Sequence, residues 1–295
     1  MSATLLPQVW RTARGPAEAA VVGSPTGRPA VLVVHGMPGD YRQGQTVAED
    51  LGGTTQVVLV SRPGYGRTPL RSGRSPQQQA DLYAALLDEV GVDRAVVVGI
   101  SGGGPSSYAF AETHRDRCAG LVLACAVAGH VLTPPAGMRR LAAVPGAWPA
   151  LAGVARTVAR VRPPREPDLT TLTAVEQELV ADPSVAAPLR RFLAQSPSSL
   201  RGAGLRNDVL MLQRAVAAGA RPWPAGDAVP TVILHGDADE VVGLENAHAH
   251  AAAIPGARLE VLPGLGHAVP LFARARLTAV LHDLLGDGRR TNGQE

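Results

Sequence analysis

The sequence predicts an α/β fold: a doubly wound, mostly parallel sheet carrying an inserted helical cap. Three observations support this: continuous apolar runs recur along the chain, helix patterns with start and stop signals stand between them, and strand-like runs vanish over one long middle stretch. The apolar runs lie at 19–22, 30–34, 56–60, 95–100, 120–126, 231–234 and 259–262. Most are unbroken rather than alternating, as strands buried on both faces must be. After the third run, Ser75-Pro76-Gln77-Gln78 supplies an N-cap, a first-turn proline and a capping-box glutamine. Tyr83, Leu86, Leu87 and Val90 then keep one apolar helix face, and Gly91 ends it. The fourth run ends in Gly99-Ile100-Ser101-Gly102-Gly103 and passes straight into a helix-compatible segment. A strand-to-helix bend that sharp leaves no room for a Cβ at Gly99 or Gly103, and it exposes the serine oxygen.

From 130 to 227 the alternation stops, and Pro, Arg and Ala dominate. Thr173-Ala174-Val175-Glu176 reads as a capping box, Asp182-Pro183 as an N-cap with a first-position proline, and 205–218 as a helix. Pro163-Pro164 and Pro222-Trp223-Pro224 punctuate the stretch. The expected organisation is a core formed by 1–129 and 228–286, a helical cap at 130–227 and a flexible tail at 287–295. The core needs its late strands to complete the sheet, and its last helix places Leu277, Val280, Leu281 and Leu284 on one face before Gly286.

Composition narrows the chemistry. All 28 basic residues of the 295-residue chain are arginine. Without a lysine, Schiff-base, pyridoxal-phosphate and P-loop chemistries are excluded. The net charge of +3, with no dense basic run, does not point to nucleic acid. Cys118 and Cys125 are expected on one strand, ~23 Å apart at ~3.3 Å per residue, which is beyond disulfide reach. No run approaches the ~18 apolar residues of a membrane span, and 1–15 has no apolar stretch behind a basic start. The expectation is a soluble, cytoplasmic protein with no membrane or nucleic-acid partner. The cap stretch holds twelve arginines against seven acids. That bias suits a solvated surface, or attraction of an anionic substrate.

Three further segments give Ser101 its context. Residues 31–34 lead into His35-Gly36-Met37-Pro38-Gly39. Residues 231–234 lead into His235-Gly236-Asp237-Ala238-Asp239, and Gly264-Leu265-Gly266-His267 is a glycine-bounded loop. Serine, acid and histidine follow in the order that a G-x-S-x-G nucleophile elbow requires. With these motifs, nearly the whole chain apart from its middle and its two ends resembles the α/β-hydrolase superfamily. The resemblance implies Ser101 as nucleophile, His267 as base and Asp239 as the acid, with Asp237 a competing choice. It implies the backbone amides of Met37 and Gly102 as the oxyanion hole, with Pro38 holding the Met37 amide. Ser61-Arg62-Pro63-Gly64-Tyr65-Gly66-Arg67-Thr68 looks like the family's D-x-P-G-x-G-x-S loop but departs at both ends, which puts that loop's usual hydrogen bonds in question.

A hydroxyl needs a base near neutral pH, and the developing oxyanion needs amide donors. The expected activity is therefore cofactor-free, metal-free cleavage of a small-molecule ester, thioester or amide through an acyl-serine. A receptor-like member with little turnover, or a thioesterase, acyltransferase or lyase using the same residues, is the alternative. Dehalogenases and epoxide hydrolases of the superfamily carry an aspartate at the elbow, where Ser101 stands. Tyr65, Met138, Trp148 and Trp223 are expected pocket walls. His35 and His235 are expected to be structural, and His248 and His250, two apart, diverge on a helix rather than share a metal.

Overall fold

The computed structural model describes residues 5–144, 146–147, 150, 153–154, 157, 172–199, 202–219 and 228–286. Its eight-stranded sheet has the order β1-β2-β4-β3-β5-β6-β7-β8. The strands are β1 (Gln8–Thr12), β2 (Gly15–Val22), β3 (Ala30–Val34), β4 (Val57–Val60), β5 (Ala95–Ile100), β6 (Cys118–Ala124), β7 (Thr231–Gly236) and β8 (Arg258–Leu262). β2 pairs antiparallel with both β1 and β4, and β3 to β8 run parallel. This is the doubly wound, mostly parallel sheet that the sequence predicts.

The unbroken apolar runs have a direct cause. Leu32, Val34, Val58 and Val97 enter a core shared with Leu82, Leu86 and Phe110, whereas Val31, Val33, Leu59, Val96 and Val98 enter a second core shared with Leu51, Leu277 and Leu281. The first is covered by α2 (Pro76–Glu89) and α3 (Gly104–Thr113), and the second by α1 (Gln45–Leu51) and a C-terminal helix ending the described chain. Successive side chains of each strand point to opposite faces, so both parities must be apolar.

Between β6 and β7 the described residues form no strand. They form α4 (Ala136–Ala143), α5 (Ala174–Leu179), α6 (Pro183–Ser199) and α7 (Gly202–Ala218). The capping boxes read at Ser75 and Thr173 are present with both reciprocal bonds. After β7 come α8 (Glu245–Ala253), α9 (Val269–Phe272) and α10 (Arg274–Leu285), which ends on Gly286 in the left-handed region.

The structure differs from the sequence reading at the N-terminal edge. β1 was not expected, and β2 starts four residues before the anticipated 19–22 run. β1 is a five-residue edge strand with a mostly exposed Gln-Val-Trp-Arg-Thr sequence, which lacks the signal of a buried strand. β6 also lies two residues earlier than expected, so Cys125 falls one residue past its end, in the left-handed region at φ 42°. The two cysteines thus do not share a strand; both are free and buried. The expected tail at 287–295 lies outside the described residues.

Candidate active site

Parallel pairing aligns the carboxyl ends of β3, β5 and β7 on one edge, and each feeds a loop there. Ser101 follows β5 directly, in the left-handed region at φ 48°. A β-branched strand cannot turn into a helix at once without such a residue, and the surrounding glycines make the turn possible. A Cβ on Gly99 would sit 2.7 Å from Ser107 Oγ, and one on Gly103 would sit 2.5 Å from the Val34 carbonyl oxygen. The strained backbone holds the serine hydroxyl outward.

Ser101 Oγ lies 3.0 Å from His267 Nε2, and His267 Nδ1 lies 2.8 Å from Asp239 Oδ2. The other Asp239 oxygen accepts from the backbone amides of Val241 and Val242, each at 2.9 Å. Four bonds then fix the polarity of the chain. An acceptor-only carboxylate draws the imidazole proton to Nδ1, leaving Nε2 to accept from the serine hydroxyl. Asp237 is turned elsewhere, accepting from the Gly264 amide at 2.7 Å. It ties the histidine loop to β7 rather than meeting the ring.

Gly102 and Met37 face each other closely: a Cβ on Gly102 would stand 2.6 Å from Met37 Cβ and 3.3 Å from the Met37 nitrogen. The Met37 amide shares a peptide plane with the Gly36 carbonyl, and that carbonyl is held from two sides. His35 Nδ1 donates to it at 2.7 Å and Arg62 Nη2 at 3.3 Å. The backbone amide of Arg62 donates to His35 Nε2 at 2.9 Å, which fixes the His35 tautomer. Burial, helped by the Arg62 charge, lowers the His35 pKa to about 3, so the ring is neutral. On the other side of the strand end, the Gly36 amide donates to Gln43 Oε1 at 2.8 Å.

Sequence reasoning missed Arg62, which is 1% exposed and forks onto Asp208 of α7 at 2.5 and 3.1 Å. Burial opposes the guanidinium charge, but Asp208 outweighs it and the Arg62 pKa is raised. Its only sequence signal was an arginine inside the Ser61–Thr68 motif; its partner lies 146 residues away. The two departures in that motif are absorbed by Glu18. Ser61 Oγ donates to Glu18 Oε2 at 2.8 Å, and Thr68 Oγ1 accepts from the Glu18 amide at 2.8 Å.

The expected pocket walls fare differently. Tyr65 is fully buried, and its hydroxyl donates to Asp208 at 2.6 Å, so it ties the loop to α7 instead of lining open space. Met138 packs against Tyr65 and Leu205. Trp148 and Trp223 lie outside the described residues. A cavity of about 510 Å³ lies between α2, α3, α7 and α8, with Pro105, Tyr108, Met211 and Arg214 among its walls. A void of about 30 Å³ beside it touches both Met37 and Gly102.

Cys125, Asp239 and His267 bring ligand-type atoms within 4.8 Å of one another. They make a poor metal set. Burial pushes the Cys125 thiol well up, which keeps it protonated, and both His267 nitrogens are already engaged. No helix among the described residues is long and apolar enough to cross a membrane.

A profile of the alpha/beta hydrolase fold family matches residues 29–273. A solved alpha/beta hydrolase fold protein from Nakamurella multipartita is 30% identical, with a TM-score of 0.68 over 95% of this chain and all of that one. Among curated proteins, an uncharacterised hydrolase of Bacillus subtilis is 36% identical over 122 residues, 41% of each chain. A poly(3-hydroxyalkanoate) depolymerase of Ectopseudomonas oleovorans is 27% identical over 252 residues, 85% of this chain and 81% of that one. The match to the Bacillus protein thus spans only about two fifths of its length.

Proposed function

The chain belongs to the α/β-hydrolase fold family, and we propose that within it the protein is a cofactor-free serine hydrolase cleaving a small-molecule ester through an acyl-Ser101 intermediate. The observation that carries this reading is the unbroken relay from Ser101 Oγ through the His267 ring to Asp239.

In this mechanism His267 Nε2 takes the Ser101 proton as Oγ attacks the carbonyl carbon, and Asp239 stabilises the imidazolium that forms. The carbonyl π electrons move onto oxygen, where the Met37 and Gly102 amides receive them; one such donor is commonly worth about 3 kcal/mol in the transition state. The imidazolium then gives its proton to the departing alcohol. Water attacks the acyl-enzyme with the same base, releasing the acid and restoring Ser101. Esters rank ahead of amides because an alkoxide leaves the tetrahedral intermediate far more readily than an amide nitrogen does. The depolymerase relative, aligned over most of both chains, agrees with ester chemistry.

A fluorophosphonate probe tests the assignment. Labelling is expected on Ser101 in the intact protein and absent in Ser101→Ala, with hydrolysis of p-nitrophenyl butyrate lost in parallel. Labelling that persists in the variant rejects Ser101 as nucleophile. Labelling without turnover across a panel of esters rejects the esterase reading in favour of a receptor-like one.

A further inference from the structure

Four acidic residues are described between β6 and β7: Glu176, Glu178, Asp182 and Asp208. Glu178 and Asp182 are exposed, whereas Glu176 and Asp208 are each 3% exposed. A buried carboxylate is retained only where partners satisfy it. The partners of the first include the loop that carries His267, and those of the second are Arg62 and Tyr65 in the loop after β4.

Glu176 of α5 accepts from the Gly266 amide at 2.9 Å with Oε1, and from the Thr173 amide at 3.1 Å with Oε2. The Thr173 hydroxyl in turn donates to the Gly264 carbonyl at 2.6 Å. The capping box of α5 therefore does more than start a helix: it grips both glycines of the Gly264-Leu265-Gly266 bend that delivers His267. Asp208 of α7 holds the Arg62 fork, and Arg62 holds the Gly36 carbonyl, whose peptide presents the Met37 amide. The backbone contact between α7 and the Ser61–Thr68 loop that carries Arg62 is glycine on glycine. Gly204 N donates to the Gly64 carbonyl at 3.1 Å, and a Cβ on Gly64 would meet Gly204 Cα at 2.5 Å.

We propose that Glu176 and Asp208 are positioning residues for catalysis, Glu176 aiming His267 and Asp208, through Arg62, aiming the Met37 amide, so that the helical insertion completes the catalytic apparatus as well as shaping its entrance. The inference rests on the serine-hydrolase reading for its kinetic consequence, but its geometric content is independent of turnover. Neither carboxylate touches Ser101 or His267, so their removal changes aim rather than removing a reacting group. Misplacement by about 1 Å can cost about 10²-fold in rate.

The test uses Glu176→Ala, Glu176→Gln and the charge-balanced pair Arg62→Leu with Asp208→Leu, which avoids stranding a buried charge. For Glu176→Ala, kcat on p-nitrophenyl butyrate is expected to fall about 10- to 100-fold with KM little changed, and Glu176→Gln to recover most of it because its amide oxygen still accepts from Gly266. The leucine pair, combined with Tyr65→Phe so that the buried hydroxyl bonded to Asp208 is not stranded, is expected to keep a melting temperature near that of the unmodified chain while kcat, and the rate at which a fluorophosphonate inactivates Ser101, fall about 100-fold. Either variant set raising KM with kcat unchanged, or both retaining unaltered kcat and inactivation rates, overturns the proposal. The His267 Nδ1 proton resonance provides an arm that needs no turnover. It is expected to move in Glu176→Ala, and an unmoved signal overturns the His267 half whatever the activity. Absence of labelling in the unmodified protein would instead strike the serine-hydrolase reading.

Discussion

At the scale of single residues, the site depends on which of two neighbouring carboxylates meets the histidine. Asp237 and Asp239 follow the same strand, and sequence alone leaves both open. The backbone separates them: Asp239 accepts from two successive amides and from His267, while Asp237 faces the Gly264 amide. Asp239→Asn is expected to lower kcat by about 10⁴-fold, because an amide placed there favours the wrong imidazole tautomer. Asp237→Asn keeps an acceptor for Gly264 and is expected to cost less than about tenfold, through loosening of the loop alone. Steady-state kinetics of the two variants on one ester decide the matter. Equal losses would remove the distinction drawn here.

At the scale of elements, legibility followed how local the cause was. Ser75, Pro76 and Gln78 announce the start of α2 because capping is settled within four residues, and both reciprocal bonds are present. Ser75→Ala is expected to lower stability by about 1 kcal/mol, read as a fall of about 2–4 °C in melting temperature. An unchanged melting temperature would deny the cap its stabilising part. The hydrogen-bonded set of Ser101, His267 and Asp239 was approachable from the sequence for a similar reason, since each of these proposed site residues sits in a short motif at the end of a strand or in a glycine-bounded loop. β1 was not, because an edge strand exposes most of its side chains and shows no buried pattern. Arg62 and Asp208 were not either. Their pairing joins a core loop to α7 across 146 residues, and no local rule connects them. Tyr65, read as a pocket wall, was misplaced for the same reason: its hydroxyl partner belongs to that distant helix.

At the scale of the whole molecule, two of the buried histidines, His35 and His250, are held in neutral form, and this gives stability a dependence on pH that the Ser101 relay does not control. Burial, assisted by the Arg62 charge, lowers His35 to about 3. Burial, with smaller contributions from His130 and His235, lowers His250 to about 4 against the opposing pull of the Val127 carbonyl. In the unfolded chain both rings return to about 6.5. Between those values the unfolded state binds protons that the folded state refuses, so stability rises with pH there and is fully present only above about 6.5. As pH falls through 6 and 5, up to two protons favour unfolding, a slope approaching roughly 2.7 kcal/mol per pH unit. Carboxylates act lower: burial favours a neutral Asp40, but Arg42 outweighs it and holds the group below its ordinary value, so its contribution is lost only in more acid solution. Urea midpoints measured from pH 8 to pH 4.5 are therefore expected to stay level down to about 6.5 and then fall steeply, before the carboxylates titrate. A profile flat to pH 4.5 would mean that His35 and His250 accept protons inside the fold, and that the neutral tautomer of His35 does not hold the Gly36–Met37 peptide in place.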